Sequence, residues 1–256
     1  MKLDHITSRD NPALVRLRKL SVDAGGYRKT GSVWIEGDHL LRAALQRGWE
    51  PSLIVLTEAA MQDADLSALA ESAPRALVVP VSLFKGLSGL ESPAQIGAEL
   101  AVPDARAIDA NAATVVLDRL QDAGNVGAIL RSAAAFGVRQ VLALKGTAAL
   151  WSPKVVRAGQ GAHFGLRLVE GLAADDLAEL AVPMIATSSH TEHVLHRVTL
   201  PSPCAWVMGH EGQGVSAELM ARCALTVGIP QPGGEESLNV AAAAAICLYE
   251  SQRQKG

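Results

Sequence analysis

Two glycine-rich loops near the end of this 256-residue chain restrict its fold more than any other stretch. The first is Gly209-His210-Glu211-Gly212-Gln213-Gly214. The second is Ile229-Pro230-Gln231-Pro232-Gly233-Gly234-Glu235-Glu236-Ser237. Each follows a short apolar run and precedes a helical one, and the second leads through Leu238-Asn239-Val240 into an Ala-rich helix ending near Ser251. Strand, loop and helix repeated so closely point to an α/β sheet with both loops at one edge. Glycine lets backbone approach a small ligand because it has no Cβ. Ordinary βα turns share that pattern. The polar residues Glu211, Ser237 and Asn239 inside the loops favour a single shared pocket.

Composition limits the class. Hydrophobic residues make up 49% and charged residues 19%, which suits a globular core and excludes a disordered chain. The length allows one large domain or two small ones. No apolar run reaches the roughly 20 residues that span a bilayer. The opening MKLDHITSRDNP has no apolar segment of a secretory signal. Cys204, Cys223 and Cys247 are odd in number and set among apolar residues, as buried thiols of a cytoplasmic protein are.

The net charge of −3 speaks against a generic nucleic-acid binder, but its distribution does not. Residues 1–49 carry +4, 50–118 carry −7, 119–167 carry +6 and 168–256 carry −6. Two basic blocks between acidic ones can form a phosphate-facing surface.

Asp10-Asn11-Pro12 starts a helix, with Asp10 or Asn11 as cap and proline at the first helical position. Leu14, Leu17 and Leu20 form its apolar stripe. Arg16, Arg18 and Lys19 lie mostly off it, and either touch an RNA backbone or form a solvated face. Strands are predicted at Val33–Ile35, Leu53–Leu56, Ala76–Val79 and Ile96–Val102, with helices at Asp38–Gln46, Leu66–Glu71 and Ser82–Leu87. Such alternation makes a small three-layer α/β domain over residues 1–102. The Ala/Asp/Asn-rich residues 103–113 read as a linker, and a second domain runs over 114–256.

That second domain opens with the strand Thr114–Leu117, a tight loop, and a helix carrying Asn125, Gly127 and Arg131. Gly127 and Arg131 are one turn apart and share a face. After Asp122 the next acidic residue is Glu170, so Arg131 has no partner nearby in sequence, and a phosphate suits it. Further on, Trp151-Ser152-Pro153-Lys154 starts another helix on which Lys154 and Arg157 project three apart. Strands follow at Val141–Leu144, Leu166–Val169, Met184–Ala186 and Ala205–Met208, with a helix near Asp175–Leu180. His190, His193 and His196 repeat at intervals of three, yet no Cys or carboxylate completes a metal site, and no metal is expected. Walker, Cys-x-x-Cys and dinucleotide fingerprints are absent.

Three stretches resemble, in order, the three motifs of the SpoU/TrmH family of RNA ribose 2′-O-methyltransferases, in the SPOUT superfamily. They are Asn125-x-Gly127-x-x-x-Arg131, the loop Gly209–Gly214, and Ile229-Pro230-Gln231, Gly233, then Glu236-Ser237-Leu238-Asn239-Val240. The chain departs from the pattern at Gln231, where the family usually has Met, and at Ala123-Gly124, where a Pro often precedes the Asn. Ile35-Glu36-Gly37 before an amphipathic helix resembles the substrate-binding domain of many members, a ribosomal-protein-like fold.

The resemblance implies S-adenosylmethionine as methyl donor and a deep C-terminal trefoil knot, which periodicity does not reveal and which is otherwise rare. It implies a cofactor pocket from Met208, Gly209, Gly214, Ile229, Gln231, Ser237, Leu238 and Asn239. It places Arg131 at the ribose hydroxyl and its phosphate, as base or charge stabiliser, with Asn125, Glu211, Ser237 and Asn239 orienting it and the ligands. RNA contacts fall to Arg16, Arg18, Lys19, Arg131, Lys154 and Arg157. It implies a homodimer through the C-terminal helix, although a buried core helix would have the same sequence. Ribosomal RNA is favoured over transfer RNA as substrate, because of the added N-terminal domain. The competing reading is a non-catalytic RNA-binding or ribosome-assembly protein on the same fold, which the intact motif residues disfavour.

Overall fold

The computed structural model describes residues 1–104, 107–233 and 237–255. In chain order its strands and helices are β1 (Lys2–His5), α1 (Pro12–Leu20), α2 (Gly26–Thr30), β2 (Ser32–Glu36), α3 (Asp38–Gln46), β3 (Pro51–Thr57), α4 (Glu58–Met61), α5 (Ala64–Ala70), β4 (Arg75–Val79), α6 (Val81–Lys85) and β5 (Ile96–Ala101). There follow β6 (Thr114–Leu117), α7 (Ala123–Ala135), β7 (Gln140–Leu144), α8 (Pro153–Gly159), β8 (Arg167–Leu172), β9 (Met184–Thr187), β10 (Ala205–Met208), α9 (Ala217–Arg222), β11 (Leu225–Val227) and α10 (Val240–Arg253).

These elements fall into two compact units. One comprises Met1–Asp104 with Trp151–Phe164, and the other Ala105–Leu150 with Gly165–Gly256. The sequence expectation ran the second domain unbroken from residue 114, whereas α8 and its flanks pack within the first unit. The reason is aromatic: Trp151 and Phe164 stack on Trp49, with ring centroids 5.6 and 5.3 Å away. The Trp49 Nε1–H donates to the Phe164 carbonyl at 3.1 Å. The Ser152 hydroxyl caps α8 as its position before Pro153 predicts.

In the first unit a five-stranded sheet has the order β1-β4-β3-β5-β2, parallel except where β5 runs antiparallel to β3 and β2. Strand β1 escaped prediction because Lys-Leu-Asp-His has no apolar alternation strong enough to mark it. It is an edge strand, and three of its four residues are exposed. Helix α1 is capped by the Asn11 side chain and buries Leu14, Leu17 and Leu20 against Trp34, Val55 and Leu77. Each of those leucines is worth about 1.5–3 kcal/mol relative to exposure.

The second unit holds a six-stranded sheet, β11-β9-β10-β6-β7-β8, in which every pairing is parallel. Parallel sheets are covered on both faces, so their strands are apolar throughout; every residue of β6, β7 and β10 is buried. The helix expected near Asp175–Leu180 is a 3₁₀ helix over Ala174–Glu179, opened by Asp176 Oδ2 accepting from the Ala173 N–H at 2.7 Å. Chain order and space diverge between β6 and β10, which are adjacent, so the loops after them meet at one end of the sheet.

Candidate active site

Loops at the carboxyl ends of parallel strands are where α/β sheets bind ligands. Here the loops after β9, β10 and β11, with the start of α10, enclose a cavity of about 820 Å³. Its walls are residues 187–190, 209–215, Met220, Ile229, Gln231, Ser237, Leu238 and the first turn of α10. The predicted cofactor residues Gly209, Gly214, Ile229, Gln231, Ser237 and Leu238 all line it, whereas Met208 and Asn239 do not. Met208 is fully buried in β10. Asn239 instead caps α10, its Oδ1 accepting from the Ala241 and Ala242 N–H groups at 2.9 and 3.2 Å. Glu236 of the third motif lies outside the described residues.

Loop 209–214 owes its shape to internal packing. A Cβ on Gly209 would stand 2.1 Å from the Gly214 carbonyl carbon and the Val215 nitrogen. His210 and Gly214 exchange backbone hydrogen bonds at 3.0 and 2.8 Å, and Gly214 has φ +67°. The glycine expected to admit a ligand therefore serves to close the turn. The His210 Nδ1 accepts from the Gly212 and Gln213 N–H groups at 3.0 and 3.3 Å, a task a short amide oxygen performs equally well.

Three motif residues form one network. Glu211 accepts from the Asp122 N–H at 3.0 Å, the Gln121 N–H at 3.2 Å and the Asn125 side-chain amide at 3.3 Å. The Asn239 amide donates in turn to the Asn125 Oδ1 at 2.9 Å. Asp122 caps α7 through the Asn125 N–H at 2.7 Å. Burial pushes the Glu211 carboxyl up, but the Asp122, Glu211 and Gln121 N–H groups and the Asn125 amide outweigh it and hold it below its ordinary value. Glu211 thus stays an anionic acceptor.

Asp118 and Arg119 were missed by sequence reading. Asp118 is 1% exposed; its Oδ2 accepts from the Ser216 N–H at 2.7 Å and its Oδ1 from the Arg119 Nε at 2.8 Å. Burial raises this carboxyl, and the Arg119 and Ser216 hydrogen bonds more than reverse the effect. Arg119 adopts φ +61°, unusual for a side-chain-bearing residue, and its Nη1 reaches the Gln213 Oε1 at 3.3 Å. The available signal was a charged pair directly after an apolar strand at the sheet's ligand edge.

Arg131 is exposed on α7 and has no hydrogen bond or ion pair with any described residue, and it lies outside the cavity wall. Of the other candidate RNA-contacting residues, Arg16 is held in an ion pair by buried Glu99, which also accepts from the Ser32 hydroxyl at 2.7 Å. Arg157 donates to the Gly89 carbonyl at 3.0 Å, and Arg18 to the Arg9 carbonyl at 3.4 Å. Lys19 and Lys154 are exposed. His190 borders the cavity, while His193 and His196 do not, and no cluster fit for a metal occurs among the described residues.

The residues present fit S-adenosylmethionine. The cavity lies within the roughly 300–1,000 Å³ of small-molecule sites. Gln231 lines it, and the Oε1 of that residue is buried with no hydrogen-bond partner among the described residues. Backbone from three loops surrounds the space, as recognition of a nucleoside requires.

Comparison with known proteins agrees. Residues 112–249 match the SpoU rRNA Methylase family and residues 4–98 the MRM3-like substrate binding domain. The 23S rRNA (guanosine-2′-O-)-methyltransferase RlmB of Bordetella pertussis is 33% identical over 86% of this chain and 97% of its own. The 23S rRNA (guanosine(2553)-2′-O)-methyltransferase RlmP of Bacillus subtilis is 30% identical over 86% of this chain and 88% of its own. The crystal structure of an AdoMet-bound rRNA methyltransferase from Sinorhizobium meliloti superposes with a TM-score of 0.85 at 25% identity, covering 98% of both chains. With its motifs joined at one end of a parallel sheet and more than half its length matched, the chain belongs to the SpoU rRNA methylase family.

Proposed function

We propose that the protein transfers a methyl group from S-adenosylmethionine to the 2′-hydroxyl of a guanosine ribose in ribosomal RNA. The observation that carries this reading is the Glu211–Asn125–Asn239 network, which fixes the loop beside the cavity to the helix bearing Arg131. Family membership and the relatives' names support the reaction, the substrate class and the base.

When bound, S-adenosylmethionine supplies a methyl on a positively charged sulfur, which needs alignment more than activation. Gly209, Gly214, Ile229, Gln231, Ser237 and Leu238, which line the cavity, would hold it. Asn125, Glu211 and Asn239 are positioning residues, since each is spent on the helix and loop ends they join. Arg131 faces the RNA. A guanidinium is a poor base, so its role is to bind the adjacent phosphate and stabilise charge developing on the ribose oxygen. Lys19 and Lys154 supply further phosphate contacts; Arg16 is half-exposed and already paired with Glu99.

The active form is a homodimer. Ile246 and Tyr249 stand three apart on α10 and are 40% and 57% exposed, an apolar face suited to a second copy. The position of Arg131 outside its own cavity is met if it serves the partner's site. Family membership also supports the trefoil knot. The three cysteines are free, and burial pushes the thiols of Cys223 and Cys247 up to about 11 and about 12, which leaves them unreactive; the bacterial rRNA methyltransferase relatives support a cytoplasmic protein. No described helix is long and apolar enough to cross a membrane.

Arg131→Ala tests the reading. Methyl incorporation into ribosomal RNA is expected to fall at least a hundredfold, the scale of one lost charge stabiliser (about 10²–10³). Calorimetric affinity for S-adenosylhomocysteine is expected to stay within about twofold, because Arg131 is outside the cavity. Near-normal turnover would overturn the assignment of Arg131 as the charge stabiliser, whereas no incorporation by the wild type would favour the non-catalytic RNA-binding reading.

A further inference from the structure

At the ligand edge of the second sheet, Arg119 is held in a backbone conformation that its own Cβ resists. Its φ is +61°, the left-handed region in which a side chain crowds the following carbonyl oxygen and glycine does not. Arginine stays here although glycine would be unstrained, and such strain persists where surrounding contacts fix it. Three contacts fix Arg119. Its Nε donates to the Asp118 Oδ1 at 2.8 Å, and its Nη2 lies 3.5 Å from the Oδ2. Its stem runs beside Gly146 of the loop after β7, where an added Cβ would stand 3.4 Å from the Arg119 Cγ. Nη1 is thereby directed at loop 209–214, where it donates to the Gln213 Oε1 at 3.3 Å. Asp118 secures the end of the same loop, since its buried Oδ2 accepts from the Ser216 N–H at 2.7 Å. One carboxylate and one guanidinium from the turn after β6 thus hold the glycine loop at residues 213 and 216, on either side of the closing glycine.

We infer that Arg119 is a positioning residue for methyl transfer: anchored on Asp118, its guanidinium fixes the closing half of the glycine loop through Gln213, and so sets that wall of the cavity before a ligand enters. The inference rests on the assignment of the cavity to S-adenosylmethionine. It requires a forked side chain, because Nε and Nη1 serve Asp118 and Gln213 together. Lysine keeps the charge and the branching at Cβ but has one nitrogen. Arg119→Lys therefore keeps the pair with Asp118 and loses the reach to Gln213. A residue that merely stabilises the fold would show its loss in the whole molecule; a positioning residue shows it in the loop.

The test compares the full-length wild type, Arg119→Lys, Gln213→Ala and the double variant. Hydrogen exchange and thermal melting are run without ligand, and calorimetric titration with S-adenosylhomocysteine. In the free protein Arg119→Lys is expected to speed amide exchange across residues 210–214, while exchange in β10 and the melting temperature stay close to wild type. Its affinity for S-adenosylhomocysteine is expected to fall about three- to tenfold, the scale of one exposed hydrogen bond. Gln213→Ala is expected to lose a similar factor, and the double variant no more than the larger single loss, because both substitutions cut the same link. Unchanged exchange at 210–214 in Arg119→Lys overturns the inference, as does affinity within about twofold of wild type, or single losses that multiply in the double variant. A lowered melting temperature with faster exchange throughout β10 assigns Arg119 to general stability and overturns it as well. A wild type that does not bind S-adenosylhomocysteine overturns the assignment of the cavity and the role in methyl transfer with it, whereas the exchange data on the free protein still decide whether Arg119 holds the loop.

Discussion

Asn239 shows how one side chain can serve two ends. Its oxygen caps α10 and its amide reaches Asn125, so Asn239→Ala removes both a helix cap and the link to α7. Loss of an N-cap costs about 1 kcal/mol, and loss of a neutral hydrogen bond about as much. The expected outcome is a fall of about 2 kcal/mol in denaturant stability, together with weaker S-adenosylhomocysteine binding as the loop at Ser237–Leu238 loosens. A variant of wild-type stability would show that the link to Asn125 is not formed in solution. At this scale the sequence was informative about identity more than about role. Asn125, Glu211 and Asn239 were singled out by the motifs they sit in. That they hold one another, with Glu211 on the cavity wall and Asn125 and Asn239 behind it, depends on strand order, which no local pattern encodes. Arg16 illustrates the same limit: its partner Glu99 lies 83 residues away.

Among the elements, the glycine loop after β10 is the most tightly determined. Gly209 packs against the Gly214–Val215 peptide with no room for a Cβ, so Gly209→Ala must open the turn that faces the cavity. Overpacking of this kind costs about 1–3 kcal/mol. The expected result is a folded protein, seen by circular dichroism, with S-adenosylhomocysteine affinity reduced more than tenfold. Retained affinity would mean that the turn can relax without disturbing the wall. Apolar runs bounded by turns made β6, β7 and β10 legible from sequence, because strands buried on both faces are apolar throughout. Strand β1 was not, because an exposed edge carries no such mark. The loop at residues 187–190 after β9 was also overlooked. Nothing in Thr-Ser-Ser-His signals a ligand until β9 is known to lie beside β10.

For the molecule as a whole, the sequence showed a basic block over residues 1–49, the three motifs in the C-terminal half, and a change of composition at 103–113 read as a linker. The return of Trp151–Phe164 to the first unit was not visible, since it is driven by Trp49 more than a hundred residues earlier. Assembly belongs to this scale. Ile246→Asp places a charge on the exposed apolar side of α10. Sedimentation is expected to show the wild type as a dimer and this variant as a monomer, with the monomer inactive. A dimeric or fully active variant would remove α10 from the interface. The central claim concerns the product, so the most direct measurement is incorporation of labelled methyl groups from S-adenosylmethionine into ribosomal RNA by the purified protein, followed by alkaline hydrolysis. A ribose methylated at the 2′-oxygen cannot be cleaved at its own phosphodiester, so the account predicts label in one alkali-resistant dinucleotide beginning with guanosine. Label released in single nucleotides, or no label from RNA that lacks the modification, would contradict it.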